Sequence, residues 1–519
     1  MKRSFLAIGL TVALALGAPA LTGAEAKTLK MAYDADPVSL DPHEQLSGGT
    51  LQLSHLIFDP LVRWNQQGGF DARLAASWKT VNPTTTRFTL RQGVSFHSGN
   101  PFTAADVKWT VDRLKKSPDF KGLFEPFVGA TVVDDHTVDL ITKKPYGLVM
   151  AMATYVFPMD SKFYSGTMNG KAKDEVVKHG NSFASANASG TGPFRITKRE
   201  QGVRVDFDRY AKYWDSSSPG NVSKIVLTPI KEGPTRVAAL LSGDVDFIAP
   251  VPPADLDRVR KGANTDLVTM SGGRIITFQM NQNRVAHFKD VRVRQAIVHA
   301  INNAGIAQKV MKGFATPAGQ QSPMGYQGHN PALKPRYDLN KAKALMKEAG
   351  LEKGFSITMM APNNRYVNDA KIAEAVAAML AKIGIKVDLT TMPKAQYWPK
   401  FDERAADIMM IGWHSDTEDS ANFSEFLTMT PNKETGYGQY NSGNYGNAKL
   451  DAMVIAANGE TDVKKRSGML QEVEKMLFDD AAFVPLHWQN HSWAVRKGID
   501  IGKVVNVMNF PYLGDLVVK

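Results

Sequence analysis

The sequence contains no cysteine among its 519 residues. No disulfide framework can form, and a chain of this length does not need one, because it can bury large hydrophobic cores without covalent cross-links. A thioether-linked lipid anchor is excluded as well, since such an anchor is attached to a cysteine. We therefore expect a large protein that is stabilised by packing and carries no lipid tether.

Long apolar runs are also scarce. Beyond the N-terminus no segment reaches the length of about 18 uninterrupted apolar residues that a membrane span needs. The N-terminus itself has a basic start at Lys2 and Arg3, an apolar run from Phe5 to Leu16 and small residues at Ala24 and Ala26. This pattern is typical of a secretion signal that is cleaved after Ala26. We therefore expect residues 27–519 to be exported to the periplasm.

Catalytic motifs are missing too. The sequence has no GxxxxGK[ST] phosphate loop, no GxSxG elbow, no HExxH pair and no SxxK motif. His487 and His491 have the spacing of a helical metal site, but Pro485 and its apolar neighbours favour a strand. Four residues along a strand separate two side chains by about 13 Å, which is too far for one ion. We expect no enzyme activity, no metal and no cofactor.

The formal net charge is +11, but lysine and arginine are scattered through the chain. No arginine-rich tract and no alternation of aromatic and basic residues is present. This distribution favours a solvated basic surface over a nucleic-acid partner.

Short strand-like runs and amphipathic helices alternate along the chain, which indicates a mixed α/β fold. The clearest unit starts with a strand at Phe355, continues with a helix whose apolar face runs from Ile372 to Ile383, and ends at Gly384. The next strand begins at Ile385. A strand–helix–strand order predicts two parallel strands joined by a right-handed crossover.

Four other segments have local signatures. The spacing of apolar residues predicts one helix from Asn340 to Ala349 and another from about Val291 to Lys312. Thr103 and Asp106 have the spacing of a capping box at the start of a helix. Alternation from Gly202 to Tyr210 predicts a strand with Val203, Val205 and Phe207 on one face.

Acidic residues cluster just after a predicted strand that ends at Ile411. Asp416, Glu418 and Asp419 follow the aromatic Trp413 within a few residues. In α/β folds ligands bind beyond the carboxyl ends of strands, and these carboxylates could receive an ammonium group there. The alternative is a solvated loop whose carboxylates cap the following helix. The ammonium site and the helix-capping loop both remain possible interpretations of these residues.

Residues 96–107, Phe-His-Ser-Gly-Asn-Pro-Phe-Thr-Ala-Ala-Asp-Val, resemble the signature of the family 5 extracellular solute-binding proteins. These are the dipeptide and oligopeptide receptors of ABC importers. Further blocks occur in the order found in that family, and the resemblance covers essentially all of residues 27–519. The blocks are Ser39–Pro42, Thr191–Phe194, Leu241–Asp246, Asp290–Ile297, Asp338–Leu345 and Gly412–Trp413.

The resemblance implies a two-lobed, periplasmic-binding-protein-like II fold of the α/β class. Lobe I would comprise residues 27–275 and 489–519, with an inserted subdomain at about 59–189, and lobe II would comprise residues 276–488. The chain would cross between the lobes near Phe278 and near His487. The protein would be a monomer whose lobes close over the ligand, because the ligand makes contacts in the closed state that the open state lacks. The closed form would then dock on an inner-membrane ABC permease with its ATPase subunits.

The resemblance also implies site residues. In peptide-binding members an aspartate after the glycine–tryptophan turn receives the peptide's amino terminus, and Asp419 falls at that place with Asp416 close by. An arginine before the first helix of the strand–helix–strand unit receives a carboxylate, and Arg365 matches it. His414 and Glu418 depart from the dipeptide-receptor pattern. The full set of expected ligand-binding residues is Trp413, His414, Asp416, Glu418, Asp419, Arg365 and Tyr397.

Two other hypotheses remain. The same kind of receptor could bind an opine, an oligosaccharide, a nickel complex or haem, and Trp413, Tyr397 and Trp398 would suit stacking on sugar rings. An exported hydrolase could instead use Asp416 and Glu418 as paired carboxylates.

Overall fold

The computed structural model describes residues 27–67, 69–506 and 508–519, so the predicted secretion signal lies outside the described residues. The strands are β1 (Lys27–Tyr33), β2 (Val62–Trp64), β3 (Phe70–Ala72), β4 (Ala75–Asn82), β5 (Thr85–Leu90), β6 (Phe127–Asp134), β7 (Thr137–Thr142), β8 (Thr167–Met168), β9 (Lys171–Ala172), β10 (Phe194–Glu200), β11 (Arg204–Arg209), β12 (Val222–Leu227), β13 (Phe247–Ala249), β14 (Thr265–Met280), β15 (Ala315–Pro317), β16 (Phe355–Pro362), β17 (Ile385–Met392), β18 (Ile408–Trp413) and β19 (Val484–Arg496). The helices are α1 (Gly48–Ile57), α2 (Ala104–Leu114), α3 (Val149–Ala153), α4 (Phe183–Ala186), α5 (Gly233–Ser242), α6 (Leu256–Arg260), α7 (Val291–Ala300), α8 (Asn303–Gly305), α9 (Leu339–Glu348), α10 (Asp369–Ala381), α11 (Lys394–Asp402), α12 (Ser420–Leu427), α13 (Ala448–Gly459) and α14 (Val463–Asp479).

One large mixed sheet organises the molecule. Its order is β10-β11-β12-β1-β13-β19-β14-β18-β16-β17, and β15 pairs with β19 at the side. The long strands β14 and β19 pair antiparallel from Thr265 opposite Arg496 to Phe278 opposite Val484. The predicted lobe boundaries at 275/276 and 488/489 both fall inside these two strands, which connect the two halves of the sheet.

The predicted strand–helix–strand unit is confirmed. Strands β16 and β17 pair in parallel, with Phe355 opposite Ile385 at one end, and α10 connects them. The helix buries Ile372, Val376 and Leu380, which are three of the predicted apolar positions. Gly384 adopts φ 82°, the left-handed conformation that glycine tolerates best and that turns the chain into the second strand.

Two local predictions differ from the structure. The segment predicted as one helix ends at Ala300, because Ile301 is extended and Asn302 caps a new turn by accepting from the Gly305 N–H at 2.7 Å. Asparagine side chains compete with helical hydrogen bonds in this way. The alternating segment forms a strand only from Arg204, so Val203 is exposed while Val205 is buried.

The predicted capping box at the start of α2 is confirmed and is part of a larger contact. The Asp106 carboxylate accepts from the Thr103 N–H at 2.9 Å and from the Thr103 hydroxyl at 3.1 Å. Its other oxygen accepts from the Ser161 hydroxyl at 2.7 Å, which ties a distant loop to the helix start.

We expect Asp106→Ala to lower the free energy of unfolding by about 2 kcal/mol, because hydrogen bonds to a buried carboxylate are lost at both partners. Asp112→Ala is the matched control on the same helix, since Asp112 forms an exposed ion pair with Lys108 that contributes about 0.5 kcal/mol or less. Urea unfolding of both variants measures the difference, and equal losses would contradict the role given to Asp106.

Hydrophobic side chains form a large cluster that includes Leu29 of β1, in predicted lobe I, and Phe88 of β5, in the predicted insert. Trp413 and Phe423 from the other half of the molecule belong to the same cluster. A second cluster, which includes Phe278 and Ile357, lies within predicted lobe II. Among the described residues, no helix combines the length and the apolar character that crossing a bilayer requires.

Candidate functional site

A cleft opens at the carboxyl end of β18, the strand that lies between β14 and β16 in the sheet. It holds about 800 Å³ of space between atoms, part of which is open to solvent. A second space of about 760 Å³ adjoins it, and both are lined by Ser47, Gly48, Arg274 and Arg365. The two spaces therefore adjoin at these residues and are together called the cleft, with acidic groups towards one end and basic groups towards the other.

Asp416 supplies a buried carboxylate at the acidic end. Its side chain lines the cleft although Asp416 is only 6% exposed. Oδ1 accepts from the Tyr155 hydroxyl at 2.9 Å. Oδ2 is enclosed and has no partner within hydrogen-bond distance among the described residues, although the nearby Asn422 side chain also stabilises the carboxylate. Burial raises the pKa of this carboxyl to about 7. A buried carboxylate with one unoccupied oxygen suits a charge-assisted hydrogen bond from an ammonium group.

The raised pKa of Asp416 predicts that amine binding depends on pH. Below pH 7 the carboxyl is protonated in the free protein and must lose its proton before it can pair with an ammonium group. We expect the affinity for an amino compound to fall about 50-fold from pH 7 to pH 5, with one proton released on binding. Above about pH 8 the α-amino group itself loses its charge, so the affinity falls again.

Isothermal titration calorimetry in buffers of different ionisation enthalpy measures both the affinity and the number of protons released. The Asp416→Asn variant is the control, because it has no carboxyl to titrate at this position. An affinity that is constant from pH 5 to pH 7 would contradict the assignment.

Asp419 is not among the described residues that line the cleft, and its carboxylate makes structural contacts. Its Oδ1 caps α12 by accepting from the N–H groups of Ala421 at 3.0 Å and Asn422 at 3.3 Å. Its Oδ2 pairs with the Arg466 guanidinium at 2.7 Å, and Asp419 is 1% exposed. The helix-capping alternative therefore describes Asp419, and of these two carboxylates only Asp416 lines the cleft.

Glu418 is half-buried and lies outside the set of described residues that line the cleft. Its backbone adopts φ 57°, and burial raises the pKa of its carboxyl. The structure does not bring Glu418 to the cleft beside Asp416, as a hydrolase with these two carboxylates would require.

Aromatic rings form one wall of the cleft. Trp413 stacks on Phe426 with ring centroids 4.7 Å apart, and its indole N–H donates to the Asn422 side chain at 2.9 Å. Trp398 also lines the cleft. Tyr397 does not, since its ring is fully buried and its hydroxyl donates to the Met410 carbonyl at 2.7 Å.

His414 lies beside Trp413 and lines the cleft. Its Nε2 is 3.2 Å from the Tyr326 hydroxyl, and its Nδ1 is 2.9 Å from the Ser415 carbonyl oxygen. The ring is therefore held in one orientation at the edge of the acidic end.

Arg365 lies between the two spaces. Its guanidinium lies over the Tyr366 ring, 5.0 Å from the centroid, and its Nε has no hydrogen-bond partner among the described residues. Its backbone N–H donates to Asp369 at 2.9 Å, which fixes the loop before α10. Arg365 lines both spaces, where a ligand carboxylate could reach its guanidinium, and the role expected from the sequence stays a prediction.

Two cationic residues beside Arg365 were missed from the sequence. Arg274 of β14 is 8% exposed, and burial together with the nearby Arg365 lowers its pKa to about 10. Lys394, the first residue of α11, has a pKa that burial lowers below its usual value. In the sequence, Arg274 could have been recognised as a lone arginine in the apolar half of a long strand.

Several contacts join the two predicted lobes across the cleft. The Lys178 ammonium lies 3.0 Å from Asp119 and 3.4 Å from Asp402. Tyr440 donates to Asp119 at 2.6 Å, and Tyr155 donates to Asp416. The carboxylates of Asp119 and Asp402 are thus occupied by partners from the protein itself, in contrast to Oδ2 of Asp416.

The chain is similar to known binding proteins over almost its whole length. It is 28% identical to the dipeptide-binding protein of Escherichia coli (strain K12), covering 96% of this chain and 95% of that protein. It is 26% identical to the glutathione-binding protein GsiB of Salmonella typhi, covering 92% of each. The solved structure of the periplasmic binding protein DppA from Helicobacter pylori, in complex with the peptide STSA, superposes with a TM-score of 0.86 at 24% identity, covering 95% of this chain and 98% of that one. Residues 70–435 match the model of the family described as bacterial extracellular solute-binding proteins, family 5 middle, and the chain belongs to this family.

Proposed function

We propose that this protein is a periplasmic receptor that captures peptides or peptide-like amino compounds and delivers them to an ABC permease. The observation that carries the proposal is the buried Asp416 carboxylate, whose Oδ2 is unoccupied at one end of the cleft. Arg365 lies between the two spaces and lines both of them. An extended compound with an amino group and a carboxylate would satisfy both groups at once.

The relatives support the same ligand class. The names of the two curated relatives refer to dipeptides and to glutathione, and the solved relative holds a peptide. A binding function in these proteins favours capture over catalysis in this chain.

The proposal includes a hinged closure of two lobes. The lobe boundaries would lie at 275/276 in β14 and at 488/489 in β19, and the inserted subdomain at about 59–189 would move with lobe I. The contacts Tyr155–Asp416 and Lys178–Asp402 would form on closure, because the proposed boundaries assign their members to different lobes. Such contacts stabilise the closed state relative to the open one, and the ligand adds to them.

The proposal also covers export and partners. The N-terminal pattern supports cleavage after Ala26, and the absence of cysteine supports a mature protein without a lipid anchor. The receptor would act as a monomer and dock on an inner-membrane permease with its ATPase subunits.

The experiment that tests the proposal identifies the natural ligand. Protein purified from its native periplasm would be denatured, and the released compounds would be analysed by mass spectrometry. Thermal shift assays would then compare a dipeptide library with panels of opines, oligosaccharides, nickel complexes and haem. We expect peptides or related amino compounds to be recovered and to raise the melting temperature. Stabilisation by another panel alone would contradict the proposal, as would turnover of a bound compound.

A further inference from the structure

The N-terminus of α1 projects into the basic end of the cleft. Gly48 and Gly49 begin this ten-residue helix, and the preceding Ser47 makes no side-chain capping hydrogen bond. The first N–H groups of a helix have no partner within the helix, and together they carry a partial positive charge. Both glycines line the cleft, so these donors face it without an intervening side chain.

Cationic side chains approach the same helix end. A Cβ atom at Gly48 would lie 3.2 Å from Nη2 of Arg274, and one at Gly49 would lie 3.9 Å from Nζ of Lys394. The missing side chain at Gly48 therefore lets the Arg274 guanidinium come close to the helix backbone, while the Lys394 ammonium lies at ordinary contact distance from Gly49.

The cluster lacks a matching number of carboxylates. Arg274 is 8% exposed and has no ion pair among the described residues, although it is one of three cations here with Arg365 and Lys394. Asp34 is the one acidic residue among the described residues that line this part of the cleft. Asp34 interacts electrostatically with both Arg274 and Lys394, and Asp36 interacts with Lys394 from outside the lining, so the three cations outnumber these two carboxylates. A buried, unpaired arginine is costly unless a ligand supplies its partner.

We propose that Arg274, Lys394 and the N-terminus of α1 form an anion subsite that binds a second acidic group of the ligand. The inference rests on the proposed function and narrows it: Asp416 receives the amino group, Arg365 receives one carboxylate, and the anion subsite receives another. The preferred ligand is therefore an amino compound with two acidic groups, such as a dipeptide that ends in glutamate or aspartate. Helix N-termini and arginine forks bind carboxylates through charge-assisted hydrogen bonds.

The test compares Ala-Glu with Ala-Gln by isothermal titration calorimetry at pH 7.5, since these dipeptides differ in one ionised group and have nearly the same size. We expect Ala-Glu to bind at least about tenfold more tightly, because a charged hydrogen-bonding partner is replaced by a neutral one. Lys394→Gln and, separately, Arg274→Gln should bring the affinity ratio close to one. Two variants are tested because Arg274 is buried and its replacement could also disturb the packing. Lys394 lies at the start of a helix, so its replacement avoids this complication.

Lys400→Gln is the matched control, since Lys400 belongs to the same helix as Lys394 but pairs with Glu403 at the surface. It should leave both affinities unchanged. Equal affinity of the wild-type protein for the two peptides would overturn the anion subsite and leave the proposed function standing. A preference that survives in both cleft variants would also overturn it. Binding of neither peptide would overturn the acidic dipeptide named here as ligand, while the ligand screen described above decides the proposed function separately.

Discussion

Replacing Asp416 by asparagine is expected to weaken the binding of amino compounds by about 100-fold, since truncating one partner of a buried charge pair costs several kcal/mol. The asparagine Oδ1 can still accept from the Tyr155 hydroxyl, so the local packing is retained. What is lost is the negative charge of a residue that lines the cleft, together with an Oδ2 acceptor that has no partner among the described residues.

The same substitution is expected to leave the ligand-free protein at least as stable as the wild type at pH 8. Burial raises the pKa of Asp416 from its usual 3.8 to about 7, so the folded protein binds a proton more tightly than the unfolded chain. For a carboxyl with a raised pKa, the contribution to stability is lost as the pH rises from 3.8 to 7. Asparagine removes this loss because it stays neutral.

Calorimetric titration measures the loss of affinity, and thermal unfolding without ligand measures stability. Glu418→Gln is the matched control, since it neutralises a carboxylate two residues away that does not line the cleft. We expect the control to retain wild-type affinity. If Glu418→Gln weakened binding as strongly as Asp416→Asn, the amine site would have been assigned to the wrong carboxylate.

Replacing Asp419 by alanine is expected to lower the free energy of unfolding by about 3–5 kcal/mol, because one partner of a buried ion pair is removed. Arg466 would remain in the interior without Asp419, with which it now shares a contact of 2.7 Å. The N–H groups of Ala421 and Asn422 at the start of α12 would lose their cap as well. Asp419→Ala thus has its main effect on stability, in contrast to Asp416→Asn.

Asp338→Ala is the control for the capping contribution. Asp338 is exposed and caps α9 by accepting from the Lys341 N–H at 2.9 Å. We expect this variant to lose about 1 kcal/mol, the usual cost of an N-cap deletion. Urea unfolding at pH 7.5 compares the two variants. Equal losses would show that the Asp419–Arg466 pair adds little, and a stable Asp419→Ala protein without ligand binding would return the amine site to Asp419.

Local chemistry explains which parts of the fold were predictable. The unit from β16 to β17 follows from an apolar face at helical spacing, from alternation in its strands and from a glycine between them. The capping box of α2 needs only Thr103 and its neighbour Asp106 three residues later. At Asn302 a hydrogen bond from the backbone to the side chain competes with the helical spacing of the apolar residues. The helix predicted from that spacing therefore continued past the end that the structure shows.

The acidic loop shows where local chemistry was insufficient. Asp416 and Asp419 lie three residues apart on the same loop, and either could have been the amine-binding residue on sequence alone. The difference between them arises from two distant residues, because Arg466 pairs with Asp419 and Tyr155 contacts Asp416 from the other predicted lobe.

The sequence by itself determined the α/β class, the local strand–helix–strand unit, the family resemblance and the acidic loop as a candidate site. These depend on residue spacing and composition, which act over a few positions in the chain. Only the tertiary structure decided which carboxylate faces the cleft and that Arg274, Lys394 and the start of α1 meet there. The three segments are far apart in the chain, and the charge and burial of a side chain depend on what the folded sheet places beside it.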